Sequence, residues 1–106
     1  MLSMKKVFIS QPMNGRSEKD IEAERENILR MVSEKLGEEV EEIQSFIPLR
    51  FRERDYKVPG LAYLGESLKM LANADVAVFA KGHENARGCR VEHHAAEAYG
   101  IDIMYA

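Results

Sequence analysis

Apolar residues in this chain fall into short blocks separated by polar, turn-rich segments, and the period inside each block distinguishes strands from helices. Residues 5–10, KKVFIS, form a short apolar run closed by QPMNGRS, which predicts a buried strand followed by a loop. Ser17 and Asp20 then stand at capping-box spacing, and Ile21, Ile28, Leu29, Val32 and Leu36 line one face of a helix that Gly37 stops. Glu24, Arg25, Glu34 and Lys35 fill its other faces, as expected of a helix lying on a sheet. The next stretch, EEVEEIQSFIPL, keeps neither a period of two nor one of 3.6, and we place a strand over residues 39–45. Pro59 opens a second helix whose Leu61, Leu64, Leu68 and Leu71 make one apolar stripe ending near Asn73. DVAVFA, residues 75–80, is the clearest buried strand, and KGHENARG leads from it into a third helix from about Cys89 to Tyr99, stopped by Gly100. IDIMYA supplies a last strand.

Strands alternating with helices imply right-handed crossovers and a mainly parallel sheet covered on both faces. The expected fold is therefore a small three-layer, Rossmann-like (flavodoxin-like) α/β fold with four to five strands. A length of 106 residues fits one domain spanning residues 1–106. With 45% hydrophobic and 31% charged residues it has a globular rather than a disordered composition. A net charge of -3 argues against binding a nucleic-acid polymer. The single Cys89 can form neither an internal disulfide nor a cysteine-rich zinc site, so a reducing, cytoplasmic compartment is expected. MLSMKKVFIS lacks the pattern of a signal peptide, and no apolar stretch is long enough to span a membrane.

Open α/β sheets bind ligands at the C-terminal ends of their strands, which directs attention to residues 10–17 and 81–89. Both segments lead into helix N-termini, whose free N–H groups and positive dipole ends suit an anion. Gly15 and Gly88 permit close backbone approach, or serve only turn geometry, while Arg16 and Arg87 add charge. The glycine spacing matches neither a Walker loop nor the dinucleotide fingerprint. His93 and Glu97 have the i, i+4 spacing of a metal-holding pair, with His94 beside them and His83 in the preceding loop. Without a further ligand motif they read as a polar helix face. Cys89, between Arg87 and Arg90 near a helix start, is either a thiol of lowered pKa or a small packing residue. The stretch from Phe46 to Val58 is long for a connection. Arg50, Arg52 and Arg54 either balance Glu53 and Asp55 on a solvated edge or form a lid that meets a phosphate, with Phe51 or Tyr56 stacking on a base.

FISQPMNG after the first strand, NADVAVFA as the third, and ARGCRVEHHAAEAYGI as the following loop and helix resemble the nucleoside 2-deoxyribosyltransferase-like family, and most of all its small bacterial and phage members. The resemblance implies that Glu92 stands at the nucleophile position. A carboxylate there attacks the anomeric carbon of a deoxyribosyl group, expels the nucleobase and leaves a glycosyl-enzyme for water or a second base to resolve. A glutamate near a helix start is biased towards the ionised form, although it would also stabilise a helix with no further purpose. By the same resemblance Asp75 matches the family's Ala-Asp pair as a supporting residue. Ser10, Gln11, Pro12, Met13, Gly15 and Arg16, with Ala86, Arg87, Gly88 and Cys89, would hold the sugar and any phosphate. The implied ligand is a nucleoside or nucleotide, and the mechanism requires neither metal nor organic cofactor.

The chain departs from the pattern at three places. Ser67 stands where active relatives carry an Asp that handles the base, Glu66 beside it points elsewhere on a helix, and Ala86 stands where phosphate-binding relatives carry a Ser. The sequence also stops after its fourth recognisable strand, which leads us to expect a homodimer or larger homo-oligomer. These departures keep a second function open, a nucleotide-binding or sensing module without turnover.

Overall fold

The computed structural model describes residues 4–43 and 50–106. Strand β1 (Lys5–Ser10) is followed by helix α1 (Glu18–Leu36), β2 (Val40–Glu42), α2 (Pro59–Leu71), β3 (Val76–Phe79), α3 (Arg87–Ala98) and β4 (Asp102–Tyr105). Short 3-10 turns at Glu53–Asp55 and His83–Asn85 precede α2 and α3.

Local chemistry explains the helix limits. The Ser17 hydroxyl accepts from the Asp20 amide at 3.1 Å, and Gly37 ends α1 in the left-handed region at φ 68°, its N–H donating to the Ser33 carbonyl. Pro59 sits in the first turn of α2, where its missing N–H costs nothing. α3 begins at Arg87, two residues before the expected start, because its cap is Ala86, whose extended backbone carries no capping side chain and so no sequence signal. The expected strand over 39–45 is shorter, Val40–Glu42, and positions 44 and 45 lie outside the described residues.

The four strands are all parallel, in the order β2-β1-β3-β4. Crossovers of one hand that move in opposite directions from β1 must place their helices on opposite faces, and the packing has that form. Val7, Ile9, Val76, Val78 and Ala80 meet Ile28 and Val32 of α1 on one face. On the other, Phe8, Ala77 and Phe79 meet Leu71 of α2 and Ala96 of α3. The result is the three-layer Rossmann-like architecture, with the two-residue pleat of the strands sorting side chains between the layers.

The apolar stripe of α2 is only half used. Leu71 is buried and Leu68 packs beside it, whereas Leu61 is 64% exposed. The 13 residues of α2 extend about 20 Å at the usual helical rise. The four of β3 extend only about 13 Å. The first turn of α2 therefore overhangs the C-terminal edge of the sheet.

Candidate active site

β1 has β2 on one side and β3 on the other, so the connections leave it in opposite directions and open a crevice at its C-terminal end. The pleat sends the two residues at that end to different faces. Ser10 and Gln11 are both buried, and their partners lie on opposite sides of the sheet.

Ser10 faces α2 and α3. Its hydroxyl donates to Glu92 Oε1 at 2.7 Å, and the Ser67 hydroxyl of α2 donates to Glu92 Oε2 at 2.6 Å. Glu92 is 7% exposed and lies just past the first turn of α3. Three elements thus converge on one carboxylate whose oxygens each accept a hydroxyl hydrogen. Such donors fix the side-chain rotamer without pairing the carboxylate with a cation, which suits attack on an electrophilic carbon.

Cys89 is buried one turn earlier on α3. Burial raises its thiol pKa, and the charge of Glu92 adds to this, together outweighing the opposing hydrogen bond with Ser10. Of the two readings of Cys89, its burial and raised pKa fit the small packing residue and not the thiol of lowered pKa. Its neighbours Ala86, Arg87 and Gly88 form the uncapped start of α3, where first-turn N–H groups lack intrahelical partners. A Cβ on Gly88 would meet open space and its backbone is helical, so neither packing nor φ requires glycine there. Gly15 differs, since its φ of 75° is the left-handed turn that favours glycine.

Gln11 faces α1. Its amide nitrogen donates to Glu24 Oε1 at 2.8 Å, and its oxygen accepts from Arg25 at 3.0 Å. Arg16 donates to the same Glu24 oxygen at 2.9 Å and to the Pro12 carbonyl at 3.0 Å, while Arg25 pairs with Glu42 of β2. Burial acts to raise the Glu24 pKa, but the hydrogen bonds from Arg16 and Gln11 and the Arg16 charge hold it below the ordinary value. Arg16 is therefore already engaged in closing the loop onto α1, while Met13 is exposed. Of residues 10–16, Ser10 is the one whose side chain hydrogen-bonds to Glu92 among the described residues.

Asp75 is not brought to the site. Its carboxylate accepts from the Lys6 amide at 2.7 Å, and its own N–H donates to the Lys6 carbonyl at 2.8 Å, at the N-terminal edge of the sheet. It extends the β1–β3 ladder from the end opposite Ser10, which corrects its expected role as support for Glu92.

Two further groups lie near the C-terminal edge. His93 Nε2 is 2.7 Å from the Tyr105 hydroxyl and Nδ1 is 3.2 Å from Glu97, with the His83 ring stacked at 5.6 Å and Phe79 against both imidazoles. In the arginine-rich segment, Phe51 stacks on Tyr56 at 5.1 Å and packs on Tyr63 at 4.5 Å, whose hydroxyl donates to Glu53. Positions 46–49 of that segment lie outside the described residues. Arg50, Phe51, Tyr56 and Glu66 line a cavity of about 110 Å³. An open groove of about 580 Å³ lies against α1 instead, between Asp20, Asn27, Met31, Lys81 and Ala106, away from Glu92.

In the sequence Ser67 shows only as a departure from the family pattern, whereas the fold brings its hydroxyl onto Glu92. Its signal is placement, because it stands four residues before the buried Leu71 and so falls on the inward side of α2.

A family model described as a domain of unknown function, DUF4406, matches residues 5–105. No curated protein and no solved structure matches the chain. Among the described residues, no helix is long and apolar enough to cross a membrane.

Proposed function

We propose that this chain, which belongs to the DUF4406 family, breaks an N-glycosidic bond of a nucleoside or nucleotide with Glu92 as nucleophile, in the manner of nucleoside deoxyribosyltransferases and deoxynucleotide N-hydrolases. The observation that carries the reading is the buried Glu92 carboxylate, held by the Ser10 and Ser67 hydroxyls at the crevice beside β1. The resemblance of FISQPMNG, NADVAVFA and ARGCRVEHHAAEAYGI to the nucleoside 2-deoxyribosyltransferase-like family supports it from an independent side.

One Glu92 oxygen bonds to the anomeric carbon as the base departs, and water or an acceptor base then resolves the ester. The hydroxyl on the attacking oxygen must turn away, while the other keeps the carboxyl oriented. The uncapped start of α3 offers N–H groups to a sugar hydroxyl or phosphate. The chain acts as a homo-oligomer in this proposal, supported by the exposed Leu61 and Val91 on α2 and α3.

Incubation with deoxynucleosides and their 5'-monophosphates, with and without an acceptor base, tests the assignment. Base release should fall by about 10³-fold or more in Glu92→Ala. Release that survives this change would remove Glu92 as the nucleophile. A second reading, ligand binding without turnover, is favoured by the engagement of both Glu92 oxygens and by Ser67 in place of a carboxylate. It predicts saturable nucleotide binding by a protein that releases no base.

A further inference from the structure

We propose that Tyr105, at the C-terminal end of β4, is an acyl-acceptor hydroxyl open to activated carboxylic esters, with His93 as its general base. This second site stands apart from Glu92 and does not depend on the glycosidic reading.

The separation follows from helix and sheet geometry. Consecutive residues on a helix point about 100° apart. Glu92 reaches Ser10 of β1 and Ser67 of α2, whereas His93 turns to β4. Ser10, Phe79 and Tyr105 are register partners on three adjacent strands, with Phe79 in the middle. Two strand spacings therefore divide the backbone under Glu92 from the backbone under His93, about 10 Å in all.

At this second position the order of groups is that of an activated nucleophile. His93 Nε2 is 2.7 Å from the Tyr105 hydroxyl, and Nδ1 is 3.2 Å from Glu97 Oε1, one turn further along α3. A carboxylate beside Nδ1 favours a hydrogen on that nitrogen, which leaves the Nε2 lone pair to accept from the phenol. Hydroxyl, base and orienting carboxylate are then in sequence. His83 holds the rings in place. Its Nδ1 donates to the Ala80 carbonyl at 2.9 Å, with Glu84 at 3.3 Å, and its ring stacks 5.6 Å from both His93 and Tyr105. Phe79 meets His93 edge-on at 4.8 Å. Tyr105 is nonetheless 54% exposed, so an ester can reach its oxygen.

In the reaction, the Tyr105 oxygen forms a bond to the acyl carbon and its proton passes to His93 Nε2. The bond between the acyl carbon and the leaving oxygen breaks, that oxygen keeps the electron pair, and His93 returns the proton to it. The products are an O-acyl-tyrosine, an alcohol or phenol, and a neutral imidazole.

The full chain carries its own reference for the test. Tyr99 is 86% exposed and, among the described residues, its side chain has no hydrogen-bond or ring partner. With p-nitrophenyl acetate, and each tyrosine followed by peptide mass spectrometry, Tyr105 should be acetylated about 100-fold faster than Tyr99 despite its lower exposure. His93→Gln should bring the two rates within about threefold, the Tyr99 rate staying unchanged as a sign of an intact fold. Glu97→Gln should lower the Tyr105 rate and Glu97→Asp recover part of it, whereas equal losses would remove the carboxylate from the assignment. Tyr105 labelled no faster than Tyr99, a preference that survives His93→Gln, or acetyl groups found on His83 or His93 in place of Tyr105 would each overturn the proposal.

Discussion

Glu92 and Glu24 are two carboxylates held at the end of the same strand, one on each face of the sheet, by consecutive residues. Gln11 presents an amide to Glu24, and Arg16 adds a cation, so that charge is neutralised and the loop is closed onto α1. Ser10 presents a hydroxyl to Glu92, Ser67 adds a second, and among the described residues no cation pairs with this more buried carboxylate. A neutralised carboxylate makes a good fastener, whereas an oriented but unneutralised one retains the reactivity a nucleophile needs.

Replacing a hydroxyl on the Glu92 side should have the largest effect. Ser67→Asp places a second carboxylate against Glu92, and two such groups sharing a buried site cannot both ionise at little cost. We expect a loss of about 2–4 kcal/mol near neutral pH. Stability should recover as acidification protonates one member of the pair, whose folded pKa is raised. Chemical denaturation across pH checks this, and an unchanged midpoint at neutral pH would mean that Ser67 does not confine Glu92.

Breaking the fastener should do less. Glu24→Gln is expected to cost about 1 kcal/mol or less, since the pair is partly solvated. Because the folded Glu24 pKa is lowered, its contribution is present above the ordinary carboxylate pKa and is lost as pH falls through the folded value. The variant should therefore show a flatter loss of stability on the acid side, and base release should change by less than about threefold. A collapse of activity would place Glu24 in the chemistry and erase the contrast between the two faces.

The smallest effect is expected at Asp75. Asn keeps an acceptor for the Lys6 amide, so Asp75→Asn should move the denaturation midpoint by less than about 1 kcal/mol equivalent and leave base release unaltered. A marked loss of release without loss of stability would reinstate Asp75 in the site.

The architecture was readable because strand and helix periods are local. VFI and VAVF are apolar runs too short for helices, and Ser17 and Gly37 bracket α1 with side-chain and backbone chemistry visible in single residues. Strand order was not local. Nothing within β1 states that β3 rather than β4 becomes its neighbour. The site divides in the same way. Glu92 could be singled out from its motif and helix position, but its two donors come from elements distant in sequence, and Ser67 carries no motif. Asp75 was misplaced because an Ala-Asp pair before a strand marks the entry end of that strand, while ligand chemistry gathers at the exit end. Arg16 was legible as a cation but not as one already paired, because Glu24 lies two turns into the following helix.

The Ser10–Glu92 hydrogen bond joins residues 82 positions apart, and this separation has a kinetic consequence. β1, α1 and β2 can assemble early as one βαβ unit, which covers a single face of the central strand. The face bearing Phe8 and Ser10 must wait for β3 and α3, since loop closure over so many residues is slow and precedes any reward from the contacts it makes. The surroundings of Glu92 are thus among the last parts of the molecule to form as the chain emerges during synthesis. Any activity that depends on Glu92 would report completed folding, not merely the presence of its first half.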